Sequence, residues 1–176
     1  LDEREGSPSG SIIRFVNQVA DAVKREFPNV WVETLAYTYT QKAPRTIRPR
    51  DNMVIRLCSF NADYSAPLNS EKNAAFRKDI EDWGRIAKQL YIWNYVVNFA
   101  NHWSPFPSVR YFAEDLRFMR DHHVRAVFEQ GPGLRELSDL APLRQWLLSR
   151  LMWNPDLDQE ALTGEFLNGY YGTAAP

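Results

Sequence analysis

Cysteine is almost missing from these 176 residues: Cys58 stands alone, which excludes an internal disulfide and a thiolate zinc cluster. An excess of positive charge is missing too. Lys and Arg number 21 against 22 Asp and Glu, a formal net charge of -1, so no broad basic field exists to neutralise phosphates and no nucleic-acid partner is expected. No apolar run approaches the roughly 20 residues of a bilayer span, so no membrane partner is expected either. The opening Leu1-Asp2-Glu3-Arg4-Glu5-Gly6 lacks a signal-peptide pattern. Glycine is sparse, and none of the eight forms a GxGxxG or P-loop signature. No His/Asp/Glu set has metal-ligand spacing and no Gly-x-Ser-x-Gly elbow occurs, so neither metal nor cofactor is expected.

Aromatic residues are abundant: six Trp, eight Tyr and ten Phe, 14% of the chain. With 44% hydrophobic and 24% charged residues the composition is that of a globular domain, and some of these rings must be core. Rings that collect on loops have another use, because a flat ring stacks on the apolar face of a sugar.

The periodicity alternates. Ser9 or Ser11 caps a helix to about Phe27, with Ile12, Phe15, Val16, Val19 and Val23 as its apolar stripe. Val30 to Tyr39 reads as a strand, Thr40 to Asn52 as a connection without a helix, and Met53 to Phe60 as a second strand. A helix from about Glu71 to Lys88 leads to a third strand, Leu90 to Val97. The long aromatic loop Asn98 to Pro107 precedes a helix capped by Ser108, and Val124 to Glu129 is the fourth strand. Two helices follow, from about Ser138 and near Asp156.

Strands alternating with helices, without tight hairpin signals, predict an α/β fold with a parallel sheet. The missing glycine-rich turn argues against a doubly wound nucleotide fold. The expected architecture is therefore a partial (β/α)8 TIM barrel of about four parallel strands with helices outside. Four strands alone would leave raw edges. The expectation is a single domain over 1–176, the C-terminal half of a barrel (strands five to eight), whose partner is its own N-terminal half.

Barrel sites gather at the C-terminal ends of strands. That rule selects Tyr37, Tyr39, Asn61, Asp63, Trp93, Tyr95, Asn98, His102, Trp103 and Glu129. Rings suit the C–H faces of sugars, and amides and acids suit their hydroxyls. Glu129 ends an apolar strand and is the expected catalytic or sugar-contacting carboxylate, with Asp63 as a possible partner. The remaining eight are the expected substrate-binding set. Strand parity pairs Trp93 with Tyr95 facing inward and Tyr37 with Tyr39, with all meeting at one rim.

Several segments carry a family resemblance. Leu35-Ala36-Tyr37-Thr38-Tyr39-Thr40, Arg48-Pro49-Arg50-Asp51-Asn52, Ile92-Trp93-Asn94-Tyr95, Pro105-Phe106-Pro107, Leu151-Met152-Trp153-Asn154-Pro155-Asp156 and Gly169-Tyr170-Tyr171-Gly172 occur in order along nearly the whole chain. They resemble the bacterial family known as domain of unknown function 4838. The resemblance implies a glycoside-hydrolase-like barrel from secreted or periplasmic proteins of polysaccharide-degrading bacteria. It implies a sugar-binding acid on the last strand, matching Glu129, and aromatics on the penultimate one, matching Trp93 and Tyr95. In family 20 hexosaminidases the acid pair lies on the fourth strand, which would precede Leu1. The alternatives to a glycoside hydrolase are a non-catalytic glycan-binding module and a structural barrel half.

Overall fold

A computed structural model describes residues 1–133 and 138–175. Four strands, β1 (Val32–Ala36), β2 (Met53–Cys58), β3 (Gln89–Tyr95) and β4 (Val124–Gln130), form one sheet in the order β1-β2-β3-β4. All three pairings are parallel, with one register irregularity at Leu90/Tyr91. Sequential order with parallel pairing is the α/β arrangement expected, an open sheet flanked by helices and consistent with a partial barrel. The helices are α1 (Asp2–Glu5), α2 (Ser9–Glu26), α3 (Ala74–Ile86), α4 (Phe112–Asp121), α5 (Ala141–Leu151) and α6 (Gln159–Tyr171). Among the described residues no helix is long and apolar enough to cross a membrane.

The helices cover one face of the sheet. Met53, Ile55 and Leu57 of β2 and Leu90 and Ile92 of β3 are fully buried and share one parity. They join Ile13 and Ala20 of α2, Phe76, Ile80 and Trp83 of α3, and Met119 of α4 in one core cluster. Val127, paired with Ile92, bridges to a second cluster that includes Val96, Leu116, Leu143 and Leu147. The opposite parity is largely bare: Leu35 and Phe128 are exposed, Val54, Arg56, Tyr91 and Trp93 are half-buried, and Cys58, paired with Trp93, is buried. Helices on both faces, as in a doubly wound fold, would bury both parities.

The β1–β2 connection has no helix, as its two prolines and missing apolar period predict, and side chains of α1 and α2 hold its backbone. The buried Glu5 carboxylate accepts bonds from Thr46 N, Thr46 Oγ1 and Ile47 N. Those donors lower its pKa to about 2. Asn17 donates Nδ2 to Arg48 O and accepts from Arg50 N, and Ser7 and Ser9 both donate to Lys42 O. Gly10 permits this: a Cβ there would lie 2.6 Å from Glu5 Cγ.

That connection corrects the reading of α2. Its inward residues are Ile13, Asn17 and Ala20, while Phe15 stands 64% exposed and Val19 is also exposed. The small and polar stripe is drawn inward because the connection's carbonyls and amides need partners. β1 is also shorter than expected. The chain leaves the sheet at Tyr37 and turns through Thr38–Thr40, with Thr38 at φ 49 and Thr40 Oγ1 accepting from Tyr37 N while donating to Tyr37 O. Ser108 does not cap α4: a short 3-10 turn, Pro107–Arg110, intervenes, and the buried Ser108 hydroxyl forms no hydrogen bond.

Candidate functional site at the strand ends

Parallel strands deliver their C-terminal ends to one edge, and five rings meet there in a row. Tyr37 follows β1, Phe60 follows β2, Tyr95 ends β3, and Phe99 and His102 lie on the loop after β3. Successive centroids are 5.6 Å (Tyr37–Phe60), 6.3 Å (Phe60–Tyr95), 5.9 Å (Tyr95–Phe99) and 5.7 Å (Phe99–His102). Every contact is edge-to-face, with interplanar angles of 75–90°. Ring quadrupoles favour that geometry. The row keeps ring surface in solvent, with Phe60 56% and Phe99 48% exposed. Burial pushes the Tyr95 phenol up to about 12 and the Cys58 thiol, paired with Trp93 across the sheet, up to about 11.

Below this rim, on the bare face, Trp93 meets Phe128 at 5.2 Å and donates Nε1 to Gln130 Oε1 at 2.6 Å. The Arg56 guanidinium lies 4.5 Å from the Tyr91 centroid and 5.4 Å from that of Trp93, and it pairs with Glu33 at 2.7 Å. A cation over two rings is attracted by their faces.

Glu129 does not join the rings. It pairs with Asn94, whose parity is that of the helix-covered Ile92, whereas Trp93 pairs with Phe128 on the bare side. Three polar residues of that covered parity form a ladder across three strands. Ser59 Oγ donates to Asn94 Oδ1 at 2.6 Å, and Asn94 Nδ2 donates to Glu129 Oε2 at 2.8 Å. Tyr64 closes the ladder through its hydroxyl, bonded to Ser59 O and Ser59 Oγ. Burial raises the Glu129 pKa to about 8, against the opposing Asn94 bond and with help from the Asp115 carboxylate. Asp115, on α4, rises to about 7, again chiefly by burial, while accepting from Leu68 N. Around neutral pH the Glu129 carboxyl is thus mostly protonated, able to donate a proton but turned away from the aromatic face.

The other candidates scatter. Asp63 is a turn residue: its Oδ1 accepts from Ser65 N, and the Ser65 side chain first, with that backbone bond second, holds its pKa down. It does not meet Glu129 in any described contact. Asn61 donates to Gln41 Oε1, and Asn98 caps its own loop by accepting from Ala100 N and Asn101 N. Tyr39 sits in the turn after β1, 71% exposed, so its expected pairing with Tyr37 by strand parity fails. Trp103 is 70% exposed on the aromatic loop. Phe60 and Phe99 complete the ring row although neither was among the sequence candidates. Phe60 shares the parity of Cys58 beyond a strand end, which was a readable signal; Phe99 lies in an irregular loop and had none. Among the described residues no group of three or more His, Cys, Asp or Glu could hold a metal ion.

A one-sided parallel sheet whose strand ends carry an aromatic row defines a parallel α/β protein with its candidate site at the C-terminal edge. Residues 1–176 match the family described as Domain of unknown function (DUF4838), and the chain belongs to that family. No curated protein and no solved structure matches it.

Proposed function

We propose that this chain is the sugar-binding half of a glycoside-hydrolase-like β/α barrel acting on glycans outside the cytoplasm. The row Tyr37–Phe60–Tyr95–Phe99–His102 carries the reading, because rings at successive centroid distances of 5.6–6.3 Å, with Phe60 and Phe99 about half exposed, offer apolar ring surface to the C–H faces of a sugar chain. Closure of the barrel by another part of the polypeptide explains three separate exposures: the bare sheet face, the apolar stripe of α2 at Phe15 and Val19, and the free edge of β1. A hollow of about 390 Å³ runs beside that edge, lined by Ile12, Glu33 to Leu35 and Tyr37 to Thr40.

In this reading Glu129 positions the floor of the rim through Asn94 and Ser59, and the catalytic acid comes from the other half of the barrel. A second reading makes Glu129 the general acid of hydrolysis; its raised pKa, the state such an acid needs, favours it. Titrating the full-length protein with a panel of neutral and acidic oligosaccharides tests the first reading. Tyr95→Ala is expected to weaken the bound glycan about tenfold or more, the usual loss on removing a stacking ring. Binding to no glycan, or binding indifferent to Tyr95→Ala, overturns it. Turnover abolished by Glu129→Gln at unchanged affinity selects the second reading.

A further inference from the structure

Away from the rim, the connection that replaces a helix between β1 and β2 leaves a hollow of about 350 Å³ against α3. Ala43, Pro44 and Ile86 contribute its apolar lining, and Lys42, Arg45, Arg48, Lys78 and Arg85 surround it with a single carboxylate, Asp82. In a chain of net charge -1 this local excess of cations is far from average. Asp82 pairs with both Lys78 and Arg85, Lys42 lies in the field of the Asp79 carboxylate, and Arg45 and Arg48 have no carboxylate partner among the described residues.

Arg45 and Arg48 are preorganised. Arg48 Nη1 donates to the carbonyls of Arg45 and Ile47, which fixes the guanidinium beside its own loop. Arg45 lies over Gly6, which adopts φ +70 and where a Cβ would come within 3.0 Å of Arg45 Nε. Beneath them the loop backbone is clamped by Glu5, Asn17, Ser7 and Ser9. Cations held in place before a ligand arrives lose less entropy on binding it.

We propose that this hollow is a binding site for a compact polyvalent oxyanion, a small molecule bearing two or more phosphate or sulfate groups. Converging cations fit clustered oxyanions, and guanidinium forks match their paired oxygens. The lining offers no aromatic ring to stack a base, and a hollow of this size takes a compact ligand rather than a duplex, whose phosphates need an extended stripe of charge. The site is independent of the sugar reading of the rim.

Calorimetric titration of the full-length protein with inorganic tripolyphosphate, and separately with a polysulfated disaccharide, tests the proposal and distinguishes phosphate from sulfate as the preferred group. Saturable binding that weakens with added salt is expected for at least one probe. Arg45→Ala/Arg48→Ala should weaken it about tenfold or more. Asp82→Asn should strengthen it several-fold, because it releases Lys78 and Arg85 from an internal competitor. A loss of folding would not produce that gain, so the two variants together separate binding from stability. The proposal is overturned if neither probe binds, if Asp82→Asn leaves affinity unchanged or weaker, or if duplex DNA displaces both probes at lower concentration.

Discussion

The two faces of the sheet differ in chemistry as sharply as in cover. The face under the helices is aliphatic at its centre and ends in the Ser59–Asn94–Glu129 ladder; the bare face carries Leu35, Arg56, Tyr91, Trp93 and Phe128. The strands alternate between two environments, and a shift of one residue would exchange them. A surface destined only for water would not set Trp93 against Phe128 beside an arginine lying over Tyr91 and Trp93. The covered face therefore explains stability, and the bare one is the face to which the proposed function assigns closure and ligand.

The largest effect that could break this contrast comes from its two tryptophans. Trp83 is fully buried and donates Nε1 to Gln41 O, so Trp83→Ala should cost about 3–5 kcal/mol in urea unfolding. Trp93, half-buried on the bare side, should cost the 176-residue chain about 1–2 kcal/mol on the same replacement. Equal losses would mean that the faces are not distinct. Next comes Leu35→Asn. If the rest of the barrel covers this face, the full-length protein loses about 2 kcal/mol, whereas a solvated face tolerates the change within about 0.5 kcal/mol.

The smallest effect reads the covered polar end. Glu129 has a folded pKa of about 8, above the 4.5 of a free carboxyl, so the folded state holds a proton that the unfolded state releases between these values. Its contribution is complete below about pH 4.5 and is lost as pH rises through about 8. Glu129→Gln should flatten the decline of melting temperature between pH 5 and 9, leaving a residual slope from Asp115, whose pKa of about 7 acts with the same sign. An unchanged slope would show that Glu129 is ionised in the fold.

Element identity and order were legible because strand and helix periods differ and because Pro44 and Pro49 mark a connection without a helix. The inward face of α2 was not, because Asn17 bonds Arg48 and Arg50 of a distant connection, the Ala20 carbonyl accepts from Asn52, and Gly10 leaves room for Glu5; periodicity carries no such information. Trp93 and Tyr95 were readable from their parity as rings sharing one face, the one the helices leave uncovered. For Glu129 the strand end named only the edge of the sheet, and the register with Asn94 tells which side the carboxyl takes.

The most direct measurement is the affinity of the full-length protein for its best oligosaccharide with Phe60→Ala beside Glu129→Gln. Phe60 stands between Tyr37 and Tyr95 with most of its ring in solvent, so its loss removes stacking area while the core stays intact. The account predicts that Phe60→Ala weakens binding about tenfold at a nearly unchanged melting temperature and that Glu129→Gln binds as the wild type does. Binding that survives Phe60→Ala and disappears with Glu129→Gln would contradict it.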